Sequence, residues 1–202
     1  VYNIIMNKPY TFVFFGIVGS GKGTQVSLLN EYLKAKNSVY ENVYAYPGGE
    51  YRKQVENKTY TGGFVKDSME KGYLQPDFLT TSIVTKILMD ELNDSKSIIF
   101  DAYPRTISQS ESLEAMTKFY KREDVKIVYI EISKEEAIKR MKLRGRPDDS
   151  DEGMAQRFNE YINNVVPSMN YFKDKPGYVT YTINGEQSIE DVHKELISKL
   201  GL

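Results

Sequence analysis

Residues 16–24 read GIVGSGKGT, which fills the spacing G-x-x-x-x-G-K with Gly16, Gly21 and Lys22, followed by Gly23 and the hydroxyl of Thr24. Glycines at such positions let backbone N–H groups turn inward around anionic oxygens. A helix opening at the lysine adds the partial positive charge of its N-terminus. Lys22 has the reach for β- and γ-phosphates, and Thr24 is placed for Mg²⁺ or a phosphate oxygen. Gly19, Ser20, Gly21, Lys22, Gly23 and Thr24 thus form a candidate polyphosphate cradle. A second element, SIIFDAYPRT, ends an apolar run in Asp101 and brings Arg105 four residues later. Asp101 reads either as a holder of the Mg²⁺ water shell or as a plain turn cap.

The arginines are few. Of 27 Lys+Arg only seven are Arg, at 52, 105, 122, 140, 144, 146 and 157. Arginine grips phosphate with a planar fork, whereas lysine is a mobile point charge. In RMKLRGRPDD, Arg140 and Arg144 share a helix face and repel each other by a few tenths of a kcal/mol, roughly. A polyphosphate offsets that cost, whereas a patch serving only solubility has no need of it. Asp148 and Asp149 are read as holding these arginines in place.

Elements must carry these groups. TFVFFGI (11–17), NVYAY (42–46), SIIFDA (97–102), VKIVYIEI (125–132) and YVTYTI (178–183) read as strands. Helical patterns separate them, the first over 22–35, and Pro167 is expected to bend the long one that follows residue 151. Strands alternating with helices predict an α/β fold whose parallel sheet is covered on both faces, with ligands bound beyond the carboxyl ends of the strands. Residues 47–76, with five glycines, and RGRPDDSD fall outside the alternation.

Composition narrows the function. A net charge of −1 gives no global attraction to nucleic acid or an anionic membrane, so neither partner is expected. Cysteine is absent and the one histidine, His193, sits in an amphipathic pattern that reads as solvated surface; no zinc site is expected. FVFFGIV is far too short to span a membrane, and no basic region with a cleavage site precedes it. Met6 reads as a natural start, leaving residues 1–5 incidental. A cytoplasmic monomer is the expectation.

GIVGSGKGTQ, DAYPRTISQ and RMKLRGRPDD followed by Arg157 together resemble, in order and spacing, the nucleoside monophosphate kinases of the adenylate kinase type, in their short-lid form. The resemblance runs from about Thr11 to the C-terminal helix. It implies a P-loop NTPase fold: one domain over 1–202, with a three-layer core (8–46, 77–143, 152–202) around a parallel five-stranded sheet. A helical acceptor-binding insertion (about 47–76) and a very short lid (about 144–151) complete it. It implies reversible phosphoryl transfer from Mg·ATP to a nucleoside monophosphate. By resemblance, Lys22 and the cradle hold ATP, Arg140 lies against its adenine and Gln187 passes its base. Gly48, Arg52 and Arg105 hold the acceptor, with Gln109 on its base. Arg144, Arg146 and Arg157 bind the phosphoryl group in flight, and Asp101 with Thr24 serves Mg²⁺.

Three departures limit the match: the first bears on how fully the lid excludes water, and the second leaves the acceptor open. Only Gly145 separates Arg144 from Arg146. Pro47 and Gly49 stand where adenylate kinases usually carry Thr and Asp. Val18 and Ala102 replace a common proline and glycine. Gln109 points to AMP, and CMP or UMP is the alternative; a nucleotide-binding regulatory protein without turnover is the rival from another class.

Overall fold

The computed structural model describes residues 8–145 and 150–202. Its centre is β1 (Thr11–Phe15), whose sequence TFVFF carries no charge and whose five residues are all buried. Such a strand needs apolar cover on both faces, and the sheet supplies the place for it. Five parallel strands run in the order β2 (Asn42–Ala45), β3 (Ser97–Asp101), β1, β4 (Val125–Glu131) and β5 (Tyr178–Asn184). Flanked by helices, this is the expected three-layer α/β arrangement of a P-loop NTPase. β2 and β5 are the edge strands, and β5 carries the more polar, more exposed sequence.

Side-chain alternation splits the core in two. Phe12, Phe14, Ile99, Val128, Ile130 and Ile183 face α1 (Lys22–Lys36) and α9 (Ile189–Leu200), which bring Val26, Leu29, Leu33, Val192, Leu196 and Leu200. On the opposite face Val13, Phe15, Ile98, Phe100 and Ile127 meet Val84 and Leu88 of α4 (Asp77–Glu91) and Leu113 of α5 (Ile107–Phe119). Each fully buried Phe, Leu, Ile or Val contributes about 1.5–3 kcal/mol relative to exposure. α2 (Pro47–Glu56) and α3 (Tyr60–Glu70) lie between β2 and α4. A third apolar cluster, Ile17, Ala137, Met141, Met154 and Phe158, ties the glycine-rich loop to α6 (Lys134–Arg144) and α7 (Asp151–Glu160).

Several boundaries differ from the sequence expectation, by one or two residues. β1 stops at Phe15, not residue 17, because the chain turns at Gly16; α1 runs on to Lys36. The bend expected at Pro167 begins earlier. α7 passes into a π-helical turn, Tyr161–Val165, and Pro167 sits in the first turn of α8 (Val166–Asn170). Proline lacks an N–H and its ring crowds the carbonyl four residues back, so the wider register before it absorbs the mismatch. His193 is half-buried with its ring edge-on to Tyr32, not solvated. Among the described residues no helix is long and apolar enough to cross a membrane.

Ala102 follows β3 at φ 59°, in the left-handed region that favours glycine. A Cβ there costs about 1–2 kcal/mol, while glycine's extra freedom in the unfolded chain costs about 0.4–1 kcal/mol. Ala102→Gly is therefore expected to raise the melting midpoint, by roughly 2 °C for a domain of this size. A lower midpoint in differential scanning calorimetry would show that chain entropy outweighs the strain.

Candidate active site

The cradle grows directly out of β1. At Gly16, with φ +148°, an added Cβ would stand 2.6 Å from the Ile130 carbonyl oxygen, so only glycine lets the turn pass so close to β4. The Ser20 N–H then donates to the Ile17 carbonyl at 3.1 Å and closes the loop. α1 starts at Lys22 with no side chain capping it and no acidic residue in its first turn. Its first N–H groups are left for a ligand. Lys22 Nζ donates to the carbonyls of Gly16 (2.7 Å) and Ile17 (3.0 Å) and lies 3.3 Å from Ser20 Oγ. Burial in the cleft pushes its ammonium down to about 8; Asp101 works against that shift, while Arg105 and Arg144 add to it. A polyphosphate brought here would raise it again.

The turn after β3 is built by its own side chains. Thr106 caps α5 by accepting from the Gln109 N–H at 3.2 Å, and its hydroxyl donates to Asp77 Oδ2 at 3.0 Å. Gln109, buried, accepts the Arg105 N–H on Oε1 (2.9 Å) and donates from Nε2 to Asp77 Oδ1 (2.8 Å). Gln109 thus braces the backbone that presents Arg105. Contact with a base, the role implied by resemblance, falls to its second amide N–H or remaining lone pair. Burial lowers the pKa of the Arg105 guanidinium, with Asp101 the largest opposing influence. Asp101 is buried and accepts the Tyr44 hydroxyl on Oδ2 at 2.6 Å.

α2, α6 and α7 bring the other arginines. Arg52 NH1 donates to Tyr46 Oη (2.8 Å) and to the Gly48 carbonyl (2.9 Å). Arg140 is held by Glu136, through Nε at 2.8 Å, and by the Gly185 carbonyl, through NH2 at 2.9 Å. Arg144 is exposed at the end of α6, where Gly145 stops the helix in the left-handed conformation. Arg157 NH2 lies 3.4 Å from the Met69 carbonyl. Gln187 is exposed, outside the cavity lining, and donates to the Asn184 carbonyl and to Glu195. Its neighbour Gly185 is what reaches Arg140. Arg146, Asp148 and Asp149 lie outside the described residues. Arg122 bonds the Asn93 carbonyl, away from the cavity.

These pieces surround one cavity of about 670 Å³, a size common for small-molecule sites. Gly19, Gly21, Lys22, Gly23, Thr24, Gly48, Arg52, Asp101, Arg105, Gln109, Arg140, Arg144 and Arg157 all line it; Ser20 is buried behind it. Its lining holds six cationic side chains and two carboxylates, Asp101 and Glu160, in a chain whose net charge is −1. Positive charge is concentrated in this cavity. Tyr44, Tyr46, Tyr51, Tyr73 and Tyr161 also line the cavity, and sequence reasoning missed all five. For the first two a signal existed: positions i and i+2 of a strand point to one side.

Comparison with known proteins bears on the same residues. The family model for adenylate kinase matches residues 14–176, from the end of β1 past α8. An adenylate kinase of Prochlorococcus marinus (strain MIT 9301) is 33% identical over 188 residues, covering 93% of this chain and 97% of its own. One from Azobacteroides pseudotrichonymphae is 31% identical over 190 residues, covering 92% and 94%. One from Oenococcus oeni is 31% identical over 190 residues, covering 93% and 97%. With nearly full coverage on both sides, and the glycine-rich cradle and the arginine-lined cavity in place, this chain belongs to the adenylate kinase family of phosphotransferases.

Proposed function

We propose that this protein is a nucleoside monophosphate kinase that moves the terminal phosphoryl group of Mg·ATP reversibly to AMP. The observation that carries the reading is the cavity's charge: six cations around an uncapped helix N-terminus. An acceptor phosphate is already ionised at neutral pH, so the transfer needs no general base. Positioning and charge neutralisation suffice, and arginines with one lysine supply both. Asp101 and Thr24 suit Mg²⁺, a hard cation that keeps most of its waters and is completed by phosphate oxygens. Mg²⁺ when bound would neutralise phosphate charge; Lys22 and the loop N–H groups would orient the phosphates.

In this reading residues 47–76 form the acceptor-binding insertion and the connection from 144 to 151 is the lid that keeps water from the phosphoryl group. Arg52 and Arg105 hold the acceptor phosphate. Arg144, Arg146 and Arg157 meet the phosphoryl group in flight, and Arg140 flanks the ATP base, beside the loop that carries Gln187 outside the cavity lining. AMP is supported by the names of the relatives. A pyrimidine acceptor is favoured by a different observation: Pro47 has no hydroxyl, and Gln109 spends one donor and one lone pair on Asp77 and Arg105. Purified protein with Mg·ATP and AMP, CMP, UMP, GMP or dTMP in separate reactions, read by chromatography of the diphosphates, is expected to prefer AMP. Preference for CMP or UMP keeps the mechanism and replaces the acceptor. ATP binding with no diphosphate formed from any of them overturns the enzyme reading.

A further inference from the structure

Tyr44 and Tyr46 leave β2 on one side and stack, ring centroids 5.6 Å apart and planes 21° from parallel. Their hydroxyls are in different states. Tyr44 donates its one proton to Asp101. Tyr46 accepts from Arg52 NH1, and among the described residues nothing accepts the proton of Tyr46 itself. Its ring is held in place. A Cβ at Gly48 would stand 2.9 Å from ring atoms Cε2 and Cζ, so only a glycine lets the ring lie over the start of α2. The Arg52 guanidinium lies 5.9 Å from the ring centroid, and the same Arg52 nitrogen also bonds the Gly48 carbonyl. Tyr46, Gly48, Arg52 and Arg105 all line the main cavity.

A hydroxyl that accepts from an arginine and keeps its own proton suits a partner that only accepts and that the arginine also attracts. A doubly ionised phosphate is such a partner. The geometry points to Tyr46 as a binding residue for the acceptor: its O–H donates to a phosphate oxygen beside Arg52, while Tyr44, anchored on Asp101, sets the position of its ring. This rests on the nucleoside monophosphate kinase reading. The contact is to phosphate, so it holds whichever base the enzyme prefers.

Steady-state kinetics of Tyr46→Phe at saturating Mg·ATP test it. The acceptor KM should rise about tenfold, the scale of one lost hydrogen bond to a charged group. The factor should be the same for every monophosphate the wild type uses, with the ATP KM and the melting midpoint unchanged. Repeating the substitution in an Arg52→Met background separates contact from positioning. A phosphate ligand still loses about tenfold there, whereas a residue that only orients Arg52 loses nothing more. An unchanged acceptor KM, or a loss that vanishes in the Arg52→Met background, overturns the assignment and leaves the kinase reading standing. A wild type that phosphorylates no monophosphate removes that reading first, and this one with it.

Discussion

Lys22→Met is expected to lower kcat by about a thousandfold, the upper range for removing one preorganised charge-stabilising donor, while leaving the protein folded. The fold should survive because Lys22 anchors nothing distant: its bonds go to Gly16 and Ile17 of its own loop. Its ammonium is also held unfavourably, pushed by burial down to about 8 from the ordinary 10.5. The sign follows from linkage. Between about pH 8 and 10.5 the unfolded chain binds more protons here than the folded one, so wild-type stability gains from this group as pH rises through that window. Below about pH 8 the lysine is charged in both states and the burial penalty is felt in full. Methionine carries neither penalty nor gain. ATP binding supplies an independent readout. The phosphates raise the pKa of the depressed ammonium again, so calorimetry near pH 8 in buffers of different ionisation enthalpy should show net proton uptake on ATP binding. Lys22→Met should lose that uptake together with the rate. A variant that keeps both would remove Lys22 from the phosphate site.

How far the sequence could be read depended on the range over which each signal acts. β1 and the cradle were legible because their causes are local: an uncharged TFVFF must be central, and Gly16 to Lys22 can build one kind of turn. Arg105 was legible through its neighbours, since Thr106 caps α5 and Gln109 braces the turn within a few residues. The pairing of Gln109 with Asp77 was not, because the partner lies 32 residues away in the chain and is brought near only when α4 packs beside α5. Tyr44 and Tyr46 looked like ordinary strand residues among 16 tyrosines. The bond from Tyr44 to Asp101 depends on β3 lying beside β2, with Tyr44 opposite Ile99 and Asp101 two residues further on the same face. The π-helical turn escaped for a related reason: Pro167 announces a disturbance but not the side on which the helix will absorb it. Long-range partners and the division of strain between neighbours are set by packing, and a single sequence carries little of either.

Arg144→Ala is expected to cost about 10²–10³ in kcat, the range found for removing one donor aimed at transition-state charge, and to change ATP affinity far less. Arg144 stands at the last turn of α6, exposed, lining the cavity and close enough to Lys22 to depress its ammonium. Its helix is fixed to the cradle by Met141 and Ala137 packed with Ile17, so the residue sits on a firm base at the edge of the cavity. In the kinase reading a group placed so reaches the phosphate being transferred, where charge spreads over three oxygens, without being the chief holder of bound ATP, a task that reading gives to the loop N–H groups and Lys22. The affinity change should stay within about threefold, less than 1 kcal/mol, as measured by calorimetry. Because the side chain is exposed, its removal opens no cavity and the melting midpoint should hold within about 2 °C. A protein that only bound nucleotide would show the reverse pattern, with little turnover to lose and any effect confined to affinity. A loss of affinity with kcat unchanged would place Arg144 in ground-state binding, since removing an interaction made equally in the ground and transition states leaves the barrier from the bound complex as it was.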